Sequence, residues 1–443
     1  MTVPSPFRPH RAAATRPRTR RTTAILAGSV AAGMVLTGCA AGVGSGGQGA
    51  SAAEDGTDST GYAWGAPQAE VDAALDDLDP ITLTYQPTAA SGESIMAPGG
   101  TVLAEAIEER SGGKIEVDVV WGQAIAGYTE MHDALADGRV DLAFTLPSYT
   151  PAEYASFDAI GTAMSELPTS PFVGELATNA AGIDLAWNTP GVLADFEAQG
   201  LVPLIPLIAS GGYYTMCSEP VSSAADWDGL QVRVGSAAAD KQVRNLGASP
   251  VSISFPETYE ALQRGTVDCD LGQLIPNVEA GTFEVAPHIG YTTDHSFSRS
   301  AGAYLAGQTY SELPVAYQQV VFDSMVAAFD GQMQVSVGGN AQAVAAAKDA
   351  GGTITEFDQD VQDTLGEHAA GLAATAGDEV GEPELATDLV EAGETWTARV
   401  EELGYTDGGG FPELDEWYPE DTDYSLLGTE IFEQVMLPHR PGA

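Results

Sequence analysis

A nine-residue phrase that occurs twice does most to limit the folds open to this chain. Asp133-Ala134-Leu135-Ala136-Asp137-Gly138-Arg139-Val140-Asp141 returns as Glu260-Ala261-Leu262-Gln263-Arg264-Gly265-Thr266-Val267-Asp268. In both copies a helix runs into a glycine able to take the left-handed conformation that ends helices, and a short strand follows at once. Ser254-Phe255-Pro256-Glu257 stands before the second copy and has the pattern of a capping box with proline in the first turn. A solenoid needs about three repeats or more, so two copies instead suit two lobes of similar build with a cleft between them. The flanking sequence agrees. Ile81 to Tyr85 alternates and predicts a strand, Gly99 to Arg110 a helix stopped by Ser111-Gly112-Gly113, and Lys114 to Trp121 a second strand. Thr129 to Asp137 then reads as helix and Val140 to Phe144 as strand. Such alternation means an α/β fold. Beyond Leu313 the spacing turns helical over Val315 to Phe329 and Gly339 to Ala350, and the acidic end of the chain reads as loop.

The amino terminus carries an export pattern. Arg16 to Arg21 form a basic stretch, Ala24 to Leu36 a 13-residue apolar run, and Leu36-Thr37-Gly38-Cys39 follows directly. The run is too short for a membrane-spanning helix and suits a signal peptide over residues 1–38. Leu36-Thr37-Gly38-Cys39 resembles a bacterial lipobox, which makes Cys39 the lipidation site and the lipid the only membrane contact of the mature chain. Arg20-Arg21 leaves the twin-arginine route open beside the general one. Residues 40–60 are rich in Gly, Ser and Ala and poor in large apolar side chains, the composition of a flexible tether. A GxGxxG spacing at Gly42, Gly44 and Gly47 has no strand before it and no helix after it, so it is not a dinucleotide site. The reading places the tether over residues 39–79 and the start of folded chain near Asp79-Pro80.

Charge excludes some partners. The sequence holds 63 acids and 17 bases, and six of the bases and no acid fall in the first 38 residues. Such a surface repels nucleic acid and anionic lipid. Catalytic signatures are missing: there is no G-x-S-x-G, H-E-x-x-H, P-loop or C-x-x-C, and the six histidines lack metal-ligand spacing. The residues therefore predict neither enzyme, metal nor cofactor. Cys217 and Cys269 form an even pair in an exported chain, which predicts one disulfide, with two buried thiols as the alternative. Positive charge is scarce, yet Arg233, Lys241, Arg244 and Arg264 lie close together in sequence. Lys241, Arg244 and Arg264 fall on helices and read as surface charges. Arg233 lies in the alternating Gln231-Val232-Arg233-Val234, and an arginine fork is the group best shaped to hold a carboxylate.

Three segments resemble a known family. Asp226 to Val234 (DWDGLQVRV), Leu246 to Asp268 (LGASPVSISFPETYEALQRGTVD) and Ala136 to Phe144 (ADGRVDLAF) are similar to the DctP-type binding proteins of TRAP transporters. Ala343 to Phe357 looks like that family's late helix and strand, and the resemblance runs from about residue 80 to 370. It implies a two-lobed periplasmic-binding-protein fold of type II with a long helix spanning both lobes. It also implies that Arg233 forms the main salt bridge to a substrate carboxylate and that Phe255 lines the pocket. Two departures stand out. Gly211 to Thr215 lacks the arginine that many members carry there, and Asp268-Cys269-Asp270-Leu271-Gly272-Gln273 replaces a G-q-E-N run. Both argue for a single carboxylate contact with a larger or more apolar remainder and do not favour succinate or malate. Tyr213, Tyr214, Trp121 and Tyr149 are the expected aromatic walls, with Gln273 as a polar contact, and a Cys217–Cys269 bridge would brace the ligand lobe. The expected first lobe spans 80–210 completed by about 300–345, and the second 211–299 completed by about 346–405. An acidic tail over 406–443 ends the chain. The implied partners are a small organic acid and the membrane subunits of a TRAP transporter. A lipoprotein serving an ABC importer, a cell-surface hydrolase and an adhesion scaffold are the competing readings.

Overall fold

The computed structural model describes residues 61–443 apart from Pro168 and Ser210. The expected signal peptide, the expected lipidation site Cys39 and the Gly-rich stretch lie outside the described residues. Eleven strands build two sheets. In chain order they are β1 (Ile81–Gln86), β2 (Ile115–Val119), β3 (Leu142–Thr145), β4 (Val202–Ile208), β5 (Tyr214–Cys217) and β6 (Gln231–Val234), followed by β7 (Ser249–Ser252), β8 (Cys269–Gly272), β9 (His288–Tyr291), β10 (Gly302–Ala306) and β11 (Ile354–Glu356). One sheet has the order β2-β1-β3-β10-β4, the other β11-β9-β5-β8-β6-β7. Each sheet centres one lobe.

The repeated phrase builds the middle of both. Gly138 and Gly265 end their helices at φ 75° and 64°, a region where a side chain would clash. β3 then runs parallel to β1 and antiparallel to β10, and β8 parallel to β6 and antiparallel to β5. The aspartate that closes each copy does the same work twice. Asp141 Oδ2 accepts from the Thr84 backbone N–H and Asp268 Oδ2 from that of Gln231, both at 2.8 Å. The capping box at Ser254 and Glu257 is formed. We expect Asp268→Ala to lower stability to urea by about 1–2 kcal/mol, because a part-buried N–H loses its acceptor. Asp268→Asn keeps an acceptor oxygen and should lose less.

The lobes are joined by helices as well as by strand crossings. Residues 325–349 form one continuous helix: α-helical over Met325–Met333, wound to a π-helix over Gln334–Gly338, and α-helical again over Gly339–Asp349. It spans about 37 Å at the usual rise. Its first half packs Met325, Phe329 and Met333 into the first lobe's core, and its second half packs Ala343, Val344 and Ala347 into the second's. This is the long helix spanning both lobes. A second bridge is Gln359–Val380, which puts Val361 and Leu365 in the second lobe and Ala373 in the first.

Three boundaries differ from the sequence reading. The tether does not extend to residue 79: Gln68–Leu75 is a helix, and Tyr62, Val71 and Leu75 are buried in the first lobe. The Ala-rich, acidic composition there hid a short amphipathic stripe. Leu385–Glu402 completes the first lobe rather than the second, through Leu385, Leu389, Trp396 and Val400. The last residues are not a loose acidic tail. Phe411 stacks on Tyr214 with ring centroids 4.7 Å apart, and Leu427, Ile431, Phe432 and Val435 join the first core at helical spacing. Arg440 grips Asp323 with two hydrogen bonds of 2.7 and 2.9 Å. Acidic residues dominate the composition there, but they occupy the outer face while the apolar ones repeat inward.

Candidate ligand-binding cleft

A cavity of about 390 Å³ lies between the lobes. Residues after β1 and β3 form one wall and the ends of β6 and β8 with Leu274–Glu279 the other. The π-helical stretch contributes Val335, and Gln332 stands just before it. Gly339 lets that helix come close to the second wall, since a Cβ there would meet Ile275 at 2.6 Å.

Arg233 is the charged centre of the cleft. It stands opposite Asp270 in the parallel pairing of β6 with β8, so both side chains leave the sheet on one face. Its Nη1 donates to Asp270 Oδ1 at 3.3 Å and its Nε to the Ile253 carbonyl at 3.1 Å. The guanidinium lies 5.8 Å from the centre of the Phe255 ring, and the Tyr149 hydroxyl is within hydrogen-bonding reach of it. Asp270 is fully buried, and its other oxygen accepts from Asn277 Nδ2 at 2.8 Å. Burial pushes the Asp270 carboxyl above the usual carboxylate range, with Arg233 and Asn277 pulling the other way.

Rings fill much of the rest. Tyr128 and Tyr149 meet edge to face at 5.9 Å, and Phe144, Tyr213 and Phe255 also line the space. Burial, with Tyr149 and Glu279 nearby, pushes the Tyr128 hydroxyl up to about 12. Burial likewise raises Tyr149 and Tyr213.

Five of the expected contacts therefore meet in one place: Arg233, Phe255, Tyr213, Tyr149 and Gln273. Tyr214 and Trp121 do not. Tyr214 follows Tyr213 on the opposite face of the strand and is packed in the second lobe's core against Phe411. Trp121 lies over the start of the helix Pro98–Arg110, where a Cβ on Gly100 would touch it at 3.0 Å. The lining also includes Tyr128, Gln123, Asn277, Gln332, Asp270 and Glu279, which the sequence reading passed over. Amides are thus present in the cleft although the G-q-E-N run is not. Gln123 carried no signal in sequence, yet its φ of +56° marks it, since non-glycine residues with such backbones cluster at functional sites. Lys241, Arg244 and Arg264 stay outside the lining; Arg244 and Arg264 pair with Asp240 and Glu260 one helical turn away.

Cys217 and Cys269 face each other across β5 and β8 and are disulfide-bonded. The bridge precedes Asp270 by one residue and fixes the strand from which it projects. Among the described residues no group of three or more His, Cys, Asp or Glu could hold a metal ion, and no helix is long and apolar enough to cross a membrane.

Two α/β lobes joined by a spanning helix and enclosing a lined cleft define a periplasmic solute-binding fold. The chain belongs to the bacterial extracellular solute-binding proteins of family 7, the DctP family, whose model matches residues 88–374. A solute-binding protein of Albidiferax ferrireducens is 25% identical over 201 residues, 43% of this chain and 57% of that relative. The chain spans about half the length of the curated relatives it matches. Among solved structures, a TRAP solute-binding protein from a marine metagenome superposes with TM-score 0.61 at 20% identity, over 72% of this chain and 99% of that one. A second, from Rhodoferax ferrireducens, superposes with TM-score 0.61 at 19% identity, over 73% and 99%. These likenesses establish the fold.

Proposed function

We propose that the chain is the extracytoplasmic binding component of a TRAP transporter and captures a small carboxylate-bearing solute between its lobes. The observation that carries this reading is Arg233: a buried guanidinium, the one cation among the described lining residues, in a cleft walled largely by aromatic rings and amides. A guanidinium has five donors, and its contacts to Ile253, Asp270 and Tyr149 leave some for an entering carboxylate. The marine relative is specific for aromatic acid ligands and was crystallised with 3-hydroxybenzoate, and the Rhodoferax structure holds benzoate. Those ligands fit the expectation of one carboxylate on an apolar body. The solute bridges the two walls, so binding favours the closed arrangement of the lobes. Export through the signal at residues 1–38, lipidation at Cys39 and delivery to the membrane subunits complete the proposal.

The test is a thermal-shift screen of the full chain in detergent against several hundred small metabolites, half of them carboxylates. A ligand that binds only the folded state raises the melting temperature by mass action. Carboxylate hits are the expected result, and a screen whose hits are all neutral or cationic rejects the carboxylate.

A further inference from the structure

Four side-chain amides stand among the described lining residues of the cleft, and they are not alike. Gln332 and Asn277 are committed to the fold. Gln332 donates through Nε2 to Ser336 Oγ at 3.2 Å and accepts from the Tyr304 hydroxyl at 3.4 Å. Asn277 donates to Asp270 and to the Gln273 carbonyl, at 2.8 and 2.9 Å, and accepts from the Thr282 hydroxyl at 2.6 Å. The amides of Gln123 and Gln273, in contrast, are bonded to nothing among the described residues. Each wall supplies one of them: Gln123 follows β2 on the first lobe, and Gln273 follows β8 on the second.

Gln123 is held in place under strain. Among the described residues it is the one non-glycine residue with a positive φ, 56°. Glutamine lacks the short side chain that lets asparagine or aspartate settle in that region, so its own chemistry does not favour it. The surrounding chain imposes it. Gly122, itself at φ 69°, donates to the Ala89 carbonyl at 3.0 Å. Just beyond, the buried amide of Gln86 accepts from the Ile125 N–H at 2.9 Å and donates to the Ala126 carbonyl at 2.7 Å. Glycine would take the backbone of residue 123 without strain. A glutamine there puts a free amide on the cleft wall at a conformational cost, and such costs cluster where a ligand is held.

Resting on the binding function proposed above, we infer that the solute carries, away from its carboxylate, an uncharged hydroxyl or keto group received by the free amides, with Gln123 selecting for it. An amide both donates and accepts, as a hydroxyl does, and its N–H groups also suit a keto oxygen. A second anionic group would find no second cation among the described lining residues, so a dicarboxylate is disfavoured. Gln123 and Gln273 are half-buried and meet water in the open cleft. A solute that displaces this water with plain hydrocarbon leaves the amides unpaired, and a site so built rejects the analogue lacking the oxygen.

The test sets benzoate against its 3-hydroxy and 4-hydroxy derivatives, and cyclohexanecarboxylate against its 3-hydroxy, 4-hydroxy and 4-oxo derivatives. Titration calorimetry on the full chain should give at least tenfold tighter binding for one or more of the oxygenated members than for the matching plain acid. Gln123→Gly should erase that preference while leaving the plain acid within about twofold of its parent value. The ligand-free variant should melt close to the parent, because glycine accepts the same backbone. Plain acids that bind as tightly as all of their oxygenated partners overturn the inference. So does a Gln123→Gly variant that keeps the preference, or one that weakens both members alike, which would mean that Gln123 only shapes the loop. If every pair is silent, the best carboxylate hit of the metabolite screen decides. A hydroxy or oxo acid weakened at least tenfold by Gln123→Gly supports the inference. A plain acid, a dicarboxylate or a hit untouched by the substitution overturns it and leaves the binding function standing. A screen with no carboxylate hit overturns both.

Discussion

Arg233→Ala is expected to weaken carboxylate binding by at least a hundredfold and to destabilise the protein at the same time. The two losses have separate causes. Binding falls because charge-assisted hydrogen bonds in a desolvated cleft, worth about 1.5–3 kcal/mol each, are removed. Stability falls because Asp270, with no exposure of its own, loses its partner and becomes a lone buried acid. Breaking a buried pair from one side costs about 3–5 kcal/mol. The double variant Arg233→Ala with Asp270→Asn separates them: it removes the stranded charge and keeps the bond to Asn277, so stability to urea should recover while binding does not. Titration of both variants with the best hit of the screen is the measurement. A double variant that is stable and binds like the parent would show that Arg233 is not the anchor.

The second large effect lies at the crossing between the lobes. Arg299, on the segment returning from β9 to β10, makes two hydrogen bonds of 2.7 and 2.8 Å to Glu175 on the helix Val173–Asn188. Both side chains are almost wholly buried. The outgoing segment passes at Gly212, where a Cβ would come within 2.8 Å of the same carboxylate. The pair therefore touches both strands of the connection. Glu175→Ala should lower unfolding stability by about 3–5 kcal/mol, since it leaves a buried guanidinium unpaired. Glu175→Leu with Arg299→Met should recover much of that loss, because an apolar pair of similar size strands no charge. Urea denaturation of the variants checks both. A Glu175→Ala protein as stable as the parent would mean that water compensates the site.

Much of the architecture was legible because it depends on local patterns. The glycines of the two matching phrases, the capping box at Ser254 and the alternation around Arg233 each act within a few residues, so their outcome could be read from order alone. The partners of Arg233 could not. Asp270 meets it only through the register of β6 on β8, and Asn277, which holds Asp270, arrives on the short helix after that strand. Tyr213 and Tyr214 show the same limit at one position. Adjacent aromatic residues on an extended chain face opposite ways, and only the placement of the sheet decides which one sees solute. The ends of the described chain were misread for another reason: strong acidic composition there masked an apolar stripe that becomes visible only once it has a core to meet.

That stripe has a practical consequence. Arg440 also donates to the Tyr62 carbonyl at 2.8 Å, so residues near both ends of the described chain meet at Asp323 on the first lobe. The second lobe carries neither end. A fluorophore or surface attachment at both ends would sit on the first lobe alone and report nothing of the distance between the lobes. To watch capture as it happens, one label must sit beyond the crossings, on the side that holds Arg233.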